Sequence, residues 1–440
     1  MHKFGTDGIR SKAEDFAPEL LAKIIRGLRD YGGDNIKVFL AGDTRESTEW
    51  ILQDLETALE TFGIEYSNAG VLPTPAINYC FYNMGFDFAI DVTASHNPYE
   101  DNGIKIFERG ENSGRKLNKK ARETIEDAIN NAEFSFAPAS PTIRESLHEE
   151  ALNLYLGHLL SYIDPANFSG LNIAMDCANG AVSVIANQIF EQLGATTHLL
   201  YADSTYGTGI NQACGSTHLE DLTRAVTTNH LDFGVAFDGD GDRVLMVDEN
   251  GEVVDGDEII AILANHLNLD KIAITVMANQ GLLNWAKDNN IKAEITAVGD
   301  YNVTEAMRAN DIKLGGEQSG HIILPGESTG DGMLTALVIT KIISETNTPL
   351  HELKKLITKF PQVIVNMPAT PTQKTSLKEN PEAKSLLLEY SKKLDSVSGR
   401  LLVRPSGTEN LIRITMWGND ESIIKKLADD LKNNLISSLT

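Results

Sequence analysis

Residues 238–243 read Asp-Gly-Asp-Gly-Asp-Arg. Three carboxylates at every second position repel one another and offer nothing to packing, so the run calls for a chemical reason. The intervening glycines free the backbone to aim Asp238, Asp240 and Asp242 at one point. A hard divalent cation with oxygen ligands supplies the reason, and Mg2+ is the ion that best suits phosphate chemistry. The apolar run at 233–237 just before it reads as a buried strand, so the acidic loop lies at a strand end, where α/β sheets place ligands. A solvated acidic turn is the plain alternative. A helix-loop-helix calcium loop is the sharper one, because Asp238, Asp240, Asp242 and Glu249 match its first, third, fifth and twelfth positions. Arg243 stands where that loop requires glycine, and a strand rather than a helix precedes it, so the calcium loop is set aside.

Four further loops carry chemistry. Thr93-Ala94-Ser95-His96-Asn97-Pro98 follows the largely apolar run at 86–92, and a small polar loop ending a buried strand can present a nucleophile, here Ser95. Capping a helix is the commoner fate of such a serine, and the absence of Gly-x-Ser-x-Gly excludes a hydrolase elbow. Asp101-Asn102-Gly103-Ile104-Lys105 can bring Lys105 back toward the same strand end. The run at 315–321, Gly-Gly-Glu-Gln-Ser-Gly-His, offers Glu317 and Ser319 to sugar hydroxyls and His321 as a proton carrier near neutral pH. A turn with a surface histidine is the alternative there. Between strand-like runs, Arg404, Ser406, Gly407 and Thr408 join a guanidinium, two hydroxyls and glycine-freed N–H groups into an anion cradle. A hairpin turn would explain the glycine but seldom needs the arginine, so phosphate is the favoured occupant. Near the start, Phe4-Gly5-Thr6-Asp7-Gly8-Ile9-Arg10 adds Arg10 on a flexible loop, unspecific by itself.

These loops need a scaffold, and the chain supplies one. Short apolar, β-branched runs at 37–40, 86–92, 172–176, 233–237 and 272–276 alternate with amphipathic stretches at 18–28, 51–61, 181–193 and 257–267. The alternation predicts an α/β fold with mixed, largely parallel sheets. At 440 residues about three or four domains are expected. Compositional seams fall at Pro138 to Pro141, near Asp248 to Gly256, and at Pro368 to Thr372. The last 70 or so residues read helix, strand, strand, helix, a small α+β closing domain. A formal charge of −24 argues against nucleic acid, whose phosphates need Lys and Arg patches. An anionic ligand must therefore find its few basic residues gathered at one site. Cys80, Cys177 and Cys214 are too few and too scattered for a disulfide framework or a zinc site. The start lacks the apolar run of a signal peptide, and no stretch approaches the ~20 apolar residues of a membrane span. A cytoplasmic location is expected.

Taken together, the loops resemble the α-D-phosphohexomutases over nearly the whole chain. Gly70 to Ala76, Asp176 to Gly180 and Cys214 to His218 add to the five stretches above. Gln318 and the run at 214–218 favour the branch that interconverts glucosamine 6-phosphate and glucosamine 1-phosphate, a step toward UDP-N-acetylglucosamine and the bacterial cell wall. The resemblance implies four domains round a cleft: 1–150 with the serine loop, 151–252 with the metal loop, 253–367 with the sugar loop, and 368–440 with the phosphate loop. It implies a phosphoryl carrier at Ser95 and one Mg2+ held by Asp238, Asp240, Asp242 and Ser95. It further implies a glucosamine 1,6-bisphosphate intermediate and a homodimer. Lys105 and His321 would move protons, Arg10 and Arg243 would stabilise the reacting groups, Glu317 and Ser319 would hold the sugar, and Arg404, Ser406, Gly407 and Thr408 the distal phosphate. Three positions depart from the family pattern: Gly42 and Tyr301 each replace an arginine, and Asn410 replaces a proline. The alternatives are a phosphomannomutase or phosphoglucomutase and, from another class, a non-catalytic sugar-phosphate or metal sensor.

Overall fold

The computed structural model describes residues 4–131, 146–163, 167–406 and 410–439. Gly407 and Thr408, and the seam at Pro138 to Pro141, lie outside the described residues. Strands of the first unit are β1 (Ile9–Lys12), β2 (Lys37–Gly42), β3 (Glu65–Val71), β4 (Phe88–Val92), β5 (Asp101–Arg109) and β6 (Gly114–Lys116). The second unit holds β7 (Asn172–Asp176), β8 (Thr196–Leu200), β9 (Phe233–Phe237), β10 (Val244–Asp248) and β11 (Val253–Val254). The third holds β12 (Lys271–Thr275), β13 (Lys292–Thr296), β14 (Gly315–Gly316) and β15 (Ile322–Ile323). The last holds β16 (Gln362–Pro368), β17 (Arg400–Pro405) and β18 (Leu411–Trp417).

The first three sheets repeat one plan. Their orders contain β3-β2-β4-β5, β8-β7-β9-β10 and β13-β12-β14-β15. In each, the first three strands are parallel and the fourth turns back antiparallel. Parallel neighbours require a crossover, which the intervening helices provide, whereas the antiparallel return needs only a loop. That loop is the serine loop in the first unit, the acidic loop in the second and the sugar loop in the third. Three chemistries therefore occupy one topological position. The sheets are mixed, as expected, with parallel pairing at their centres and antiparallel strands at one edge.

Local sequence explains most of these elements. The helix Pro18–Gly32 starts with proline at its first position and buries Leu20, Leu21, Ile24, Ile25 and Leu28, one face at helical spacing. The amphipathic stretch at 181–193 does not form one helix. It splits into a 3-10 turn Ala181–Val184 and a short helix Ala186–Gln192. The cause is the acidic loop: Ala181 N donates to Gly239 O at 2.8 Å, drawing the first turn against it. A β-carbon on Gly180 would lie 2.4 Å from Gly239 O, so only glycine permits this approach.

The fourth sheet begins earlier than the seam at Pro368 implied. Strand β16 pairs with β18 along its whole length, so the closing domain has three strands, not two. Val363, Val365 and Met367 turn inward while Ile364, Asn366 and Pro368 are exposed, the alternation of a one-sided strand. The seam at Asp248 to Gly256 holds β11 and the capping box in which Asp255 and Glu258 start the helix Gly256–His266. One apolar core runs through the first three units, joined by the helix His148–Ile163. The fourth unit has a core of its own.

Candidate active site

The serine, acidic and sugar loops converge although they come from three units. Ser95 Oγ donates a 2.7 Å hydrogen bond to Asp238 Oδ2 across 143 residues of chain. Ser95 is fully buried and holds φ at +54°, a left-handed conformation that costs a residue with a β-carbon about 1–2 kcal/mol. His96 Nδ1 lies 3.2 Å from Ser95 Oγ. Burial, together with Arg243 and Arg10 nearby, pulls the His96 pKa down to about 4, so this imidazole is neutral at physiological pH.

Asp238, Asp240 and Asp242 are 0%, 1% and 5% exposed, and one oxygen from each falls within 4.8 Å of the others. The loop is pinned on several sides. Arg243 N donates to Asp238 Oδ1 at 3.1 Å, and Thr74 N donates to Asp240 O at 2.9 Å, which accounts for the run at 70–76. Lys105 Nζ pairs with Asp240 and lies 3.3 Å from Asp242 Oδ2. Burial opposes the charge on Lys105, but Asp240 and Asp242 outweigh it and raise its pKa well above the ordinary value. Lys105 is thus cationic. Burial and its two neighbouring carboxylates push Asp238 well up, whereas Lys105 holds Asp240 and Asp242 below the usual range against burial.

Asp240 Oδ1 and Asp242 Oδ1 are buried and accept no hydrogen bond from the described residues. Orphaned carboxylate oxygens in a closed site are costly, and two of them in a cluster of hard oxygen donors fit a divalent cation. Mg2+ is consistent with that donor set.

His321 completes the far wall. Its Nδ1 lies 3.6 Å from Asp242 Oδ1, and Gly330 N donates to its Nε2 at 3.0 Å. Asp242 and Asp300 raise its pKa against burial, yet the Gly330 N–H requires a lone pair on Nε2. The Gly330 contact selects, for the neutral ring, the tautomer with its proton on Nδ1, facing Asp242, while the two carboxylates favour uptake of a second proton. Glu317 Oε1 accepts from Gly299 N at 3.1 Å, and Ser319 is exposed at the loop tip. The buried Nε of Arg243 has no hydrogen-bond partner among the described residues and lies 3.7 Å from Asp242 Oδ1. Arg10 pairs with Asp7 and reaches Ala94 O at 3.4 Å, beside the serine. On the closing domain Arg404 sits in β17 with a buried Nε that has no hydrogen-bond partner among the described residues, and Ser406 is buried at the strand end. Arg413 is its direct cross-strand neighbour in β18, on the same face. Burial and Arg413 lower the Arg404 pKa, while the Glu317 carboxylate of the sugar loop opposes them.

The comparisons with known proteins bear on this arrangement. Models of the phosphoglucomutase/phosphomannomutase family match in chain order: alpha/beta/alpha domain I at residues 1–136, domain II at 153–251, domain III at 255–360 and the C-terminal domain at 346–434. The phosphoglucosamine mutase of Caldicellulosiruptor saccharolyticus is 40% identical, with 99% of each chain covered. That of Clostridioides difficile is 39% identical, also with 99% of each covered. The chain belongs to the phosphoglucosamine mutases. A phosphoglucomutase/phosphomannomutase family protein from Burkholderia thailandensis shares the fold at a TM-score of 0.81 and 21% identity, covering 99% of this chain and 97% of that one.

The features that pointed to this branch of the mutases serve the scaffold. Gln318 Nε2 donates to Asp255 Oδ2 at 3.1 Å, tying the sugar loop to a helix cap, and Gly215 N donates to Asp176 Oδ2 at 2.9 Å beneath the acidic loop. The departures from the phosphohexomutase pattern also have structural accounts. At Gly42 a β-carbon would lie 2.6 Å from Val92 O, so no side chain fits. Tyr301 carries the Arg122 guanidinium 4.9 Å from its ring centroid, so a cation from the first unit stands where the third lost one. Asn410 O accepts from Ala369 N at 2.9 Å, which ties the end of the phosphate loop to the segment after β16. Beside Tyr301, Lys116 pairs with both Asp7 and Asp300. These contacts join the first and third units at the cleft, and no motif in the sequence marks Arg122 or Lys116. A cation–π contact contributes about 0.5–1 kcal/mol when exposed and about 2 when desolvated, and this one is half-buried. Arg122→Ala is therefore expected to destabilise the protein by about 1–2 kcal/mol, lowering its melting temperature by a few °C at most with kcat and KM little changed. A thermal melt identical to wild type would show that the Arg122–Tyr301 contact contributes nothing to holding the two units together.

Proposed function

We propose that this chain interconverts glucosamine 6-phosphate and glucosamine 1-phosphate through a phosphoserine at Ser95 and a glucosamine 1,6-bisphosphate intermediate. The observation that carries this reading is the hydroxyl of Ser95 placed 2.7 Å from a carboxylate of the metal-suited cluster. Pure binding would not require a nucleophile beside such a cluster, which argues against a sensor. The high identity to phosphoglucosamine mutases supports the substrate.

In the first half-reaction the Ser95 Oγ–P bond breaks, and a P–O bond forms to the sugar hydroxyl. The hydroxyl proton leaves, and Ser95 Oγ ends protonated. Lys105, held cationic, is the group proposed to give Ser95 Oγ its proton, and His321 is the group proposed to take the hydroxyl proton at Nε2, releasing the Gly330 contact there. The bisphosphate then turns over and returns its other phosphoryl group to Ser95. A phosphoserine adds about −1.5 to −2 charge. Asp238, Asp240, Asp242 and a phosphoserine oxygen would hold Mg2+, which when bound neutralises charge on the transferring group. Arg10 and Arg243 flank the same space. Glu317 and Ser319 would orient the sugar, and Arg404, Ser406, Gly407 and Thr408 would hold the phosphate that is not reacting. The separate core of the fourth unit suits a domain that grips either end of the substrate.

A cytoplasmic homodimer is part of the same reading. Its three cysteines are free and buried, and among the described residues no helix is long and apolar enough to cross a membrane. The deciding assay compares glucosamine, glucose and mannose 6-phosphates at equal enzyme and Mg2+. Fastest turnover of the amino sugar is expected. Faster turnover of either neutral sugar would reassign the substrate to that hexose.

A further inference from the structure

We propose that Asn211 and Arg45 are positioning residues for phosphoryl transfer, holding the Ser95 peptide in its left-handed conformation from two domains at once. A strained, fully buried residue persists only where its surroundings over-determine it, and here the surroundings can be named. Ser95 O accepts from Arg45 Nη2 at 3.1 Å and from Asn211 Nδ2 at 2.8 Å. The same two nitrogens reach Asn97 O at 2.6 and 3.0 Å. Two carbonyls on either side of His96 are thus drawn onto one pair of donors, which sets the curl of the loop.

The opposite side of the loop is closed as well. Ser95 N donates to Thr93 Oγ1 at 2.9 Å, and Thr93 Oγ1 donates to Asp43 Oδ2 at 2.6 Å. Asp43 also pairs with Arg45, and both side chains are fully buried. Arg45 is thereby fixed within the first unit. Asn211 comes from the second unit and is itself left-handed, at φ +57°, a conformation asparagine tolerates better than most residues. Its N–H donates to Ala178 O at 3.0 Å.

The acidic loop rests on this junction. A β-carbon on Gly239 would lie 2.7 Å from Ser95 O and 2.8 Å from Asn211 Nδ2. The Asn211 amide, the serine carbonyl and the backbone between Asp238 and Asp240 therefore stack in direct contact. Displacing one moves Ser95 Oγ relative to Asp238. Both residues act through the loop backbone rather than on the reacting atoms.

The chemistry explains the residue type. Asn211 Nδ2 carries two hydrogens, one for each carbonyl. Aspartate has the same shape and no donor, so it would set a carboxylate against two carbonyl oxygens. Lysine at position 45 keeps the charge but loses the planar fork.

The proposal rests on phosphoryl transfer at Ser95, and its test separates the two. Full-length wild type, Asn211→Asp, Asn211→Ala and Arg45→Lys are each assayed with glucosamine 6-phosphate and Mg2+. Intact mass follows the rate at which dephosphorylated enzyme gains phosphate from glucosamine 1,6-bisphosphate, and thermal melts report folding. Misplacement of a reacting group by about 1 Å can cost about 10²-fold. Asn211→Asp should lose kcat by about that factor with KM changed by no more than about 3-fold, and Ser95 phosphorylation should slow in step. Asn211→Ala and Arg45→Lys should lose less in kcat in the same pattern, and they decide the matter if the aspartate variant does not fold. Folded variants with wild-type kcat, or with losses confined to KM, would overturn the clamp. Wild-type enzyme that gains no phosphate on Ser95 would instead overturn the phosphoserine reading.

Discussion

Ser95→Ala is expected to lower turnover by at least about 10⁴-fold while leaving the fold intact, because the hydroxyl oxygen is the atom that carries the phosphoryl group. The structural cost is small by comparison. The variant loses one donor to Asp238, a change of about 1–3 kcal/mol for a buried acceptor. Alanine faces the same left-handed backbone as serine, so that strain is common to both. Circular dichroism and a thermal melt should report a folded protein, and intact mass should show a phosphorylated fraction in wild type that is missing from the variant. Substantial turnover by the folded variant would end the phosphoserine mechanism. Binding of the sugar phosphate should survive, since the proposed sugar and phosphate contacts lie on other loops.

Lys105→Met should lose activity by about 10²–10⁴-fold, the usual range for a proton-transfer group, and it should also uncover the charge balance of the site. Lys105 Nζ is the cation paired with Asp240 and beside Asp242, and all three side chains are buried. Removing one partner of a buried ion pair leaves uncompensated charge and costs about 3–5 kcal/mol. The variant in chelator should therefore melt well below wild type. Added Mg2+ should raise its melting temperature more than that of wild type, because no ammonium competes for the same carboxylates and binding to the folded state stabilises by mass action. Equal melting temperatures in chelator, together with an equal Mg2+ response, would show that Lys105 does not balance the acidic loop. The melting readout stands apart from catalysis.

Much of the site was legible because its residue types are unreasonable without chemistry. Alternate aspartates at 238–242 and an arginine beside Ser406 have no packing purpose, so composition over a few positions exposed them. Arg122, Lys116 and Arg413 were not legible. A lone basic residue on a helix or strand looks like any solvated surface charge until its partner is known. Asn211 was equally silent, since asparagine near a loop is ordinary, and Arg45, although it closes the stretch that departs from the family pattern at Gly42, gave no sign of its partners. Strand β16 went unseen for a different reason: an edge strand ending in proline reads as a linker until β18 pairs with it. The split of the expected helix at 181–193 came from Gly239 O, a group far away in sequence.

The chain's local chemistry determined the α/β alternation, the acidic, serine, sugar and phosphate loops, and hence the class of reaction, because each depends on neighbouring residues and short-range periodicity. The tertiary structure alone decided that three of those loops share one topological position. It also decided that Ser95 meets Asp238 across two units, that Lys105 is held cationic, and that Asn211 reaches across to hold the serine peptide. Those outcomes depend on distances between residues far apart in the chain and on burial, which sets the strength of every charge interaction; neither is a property of a short stretch of sequence.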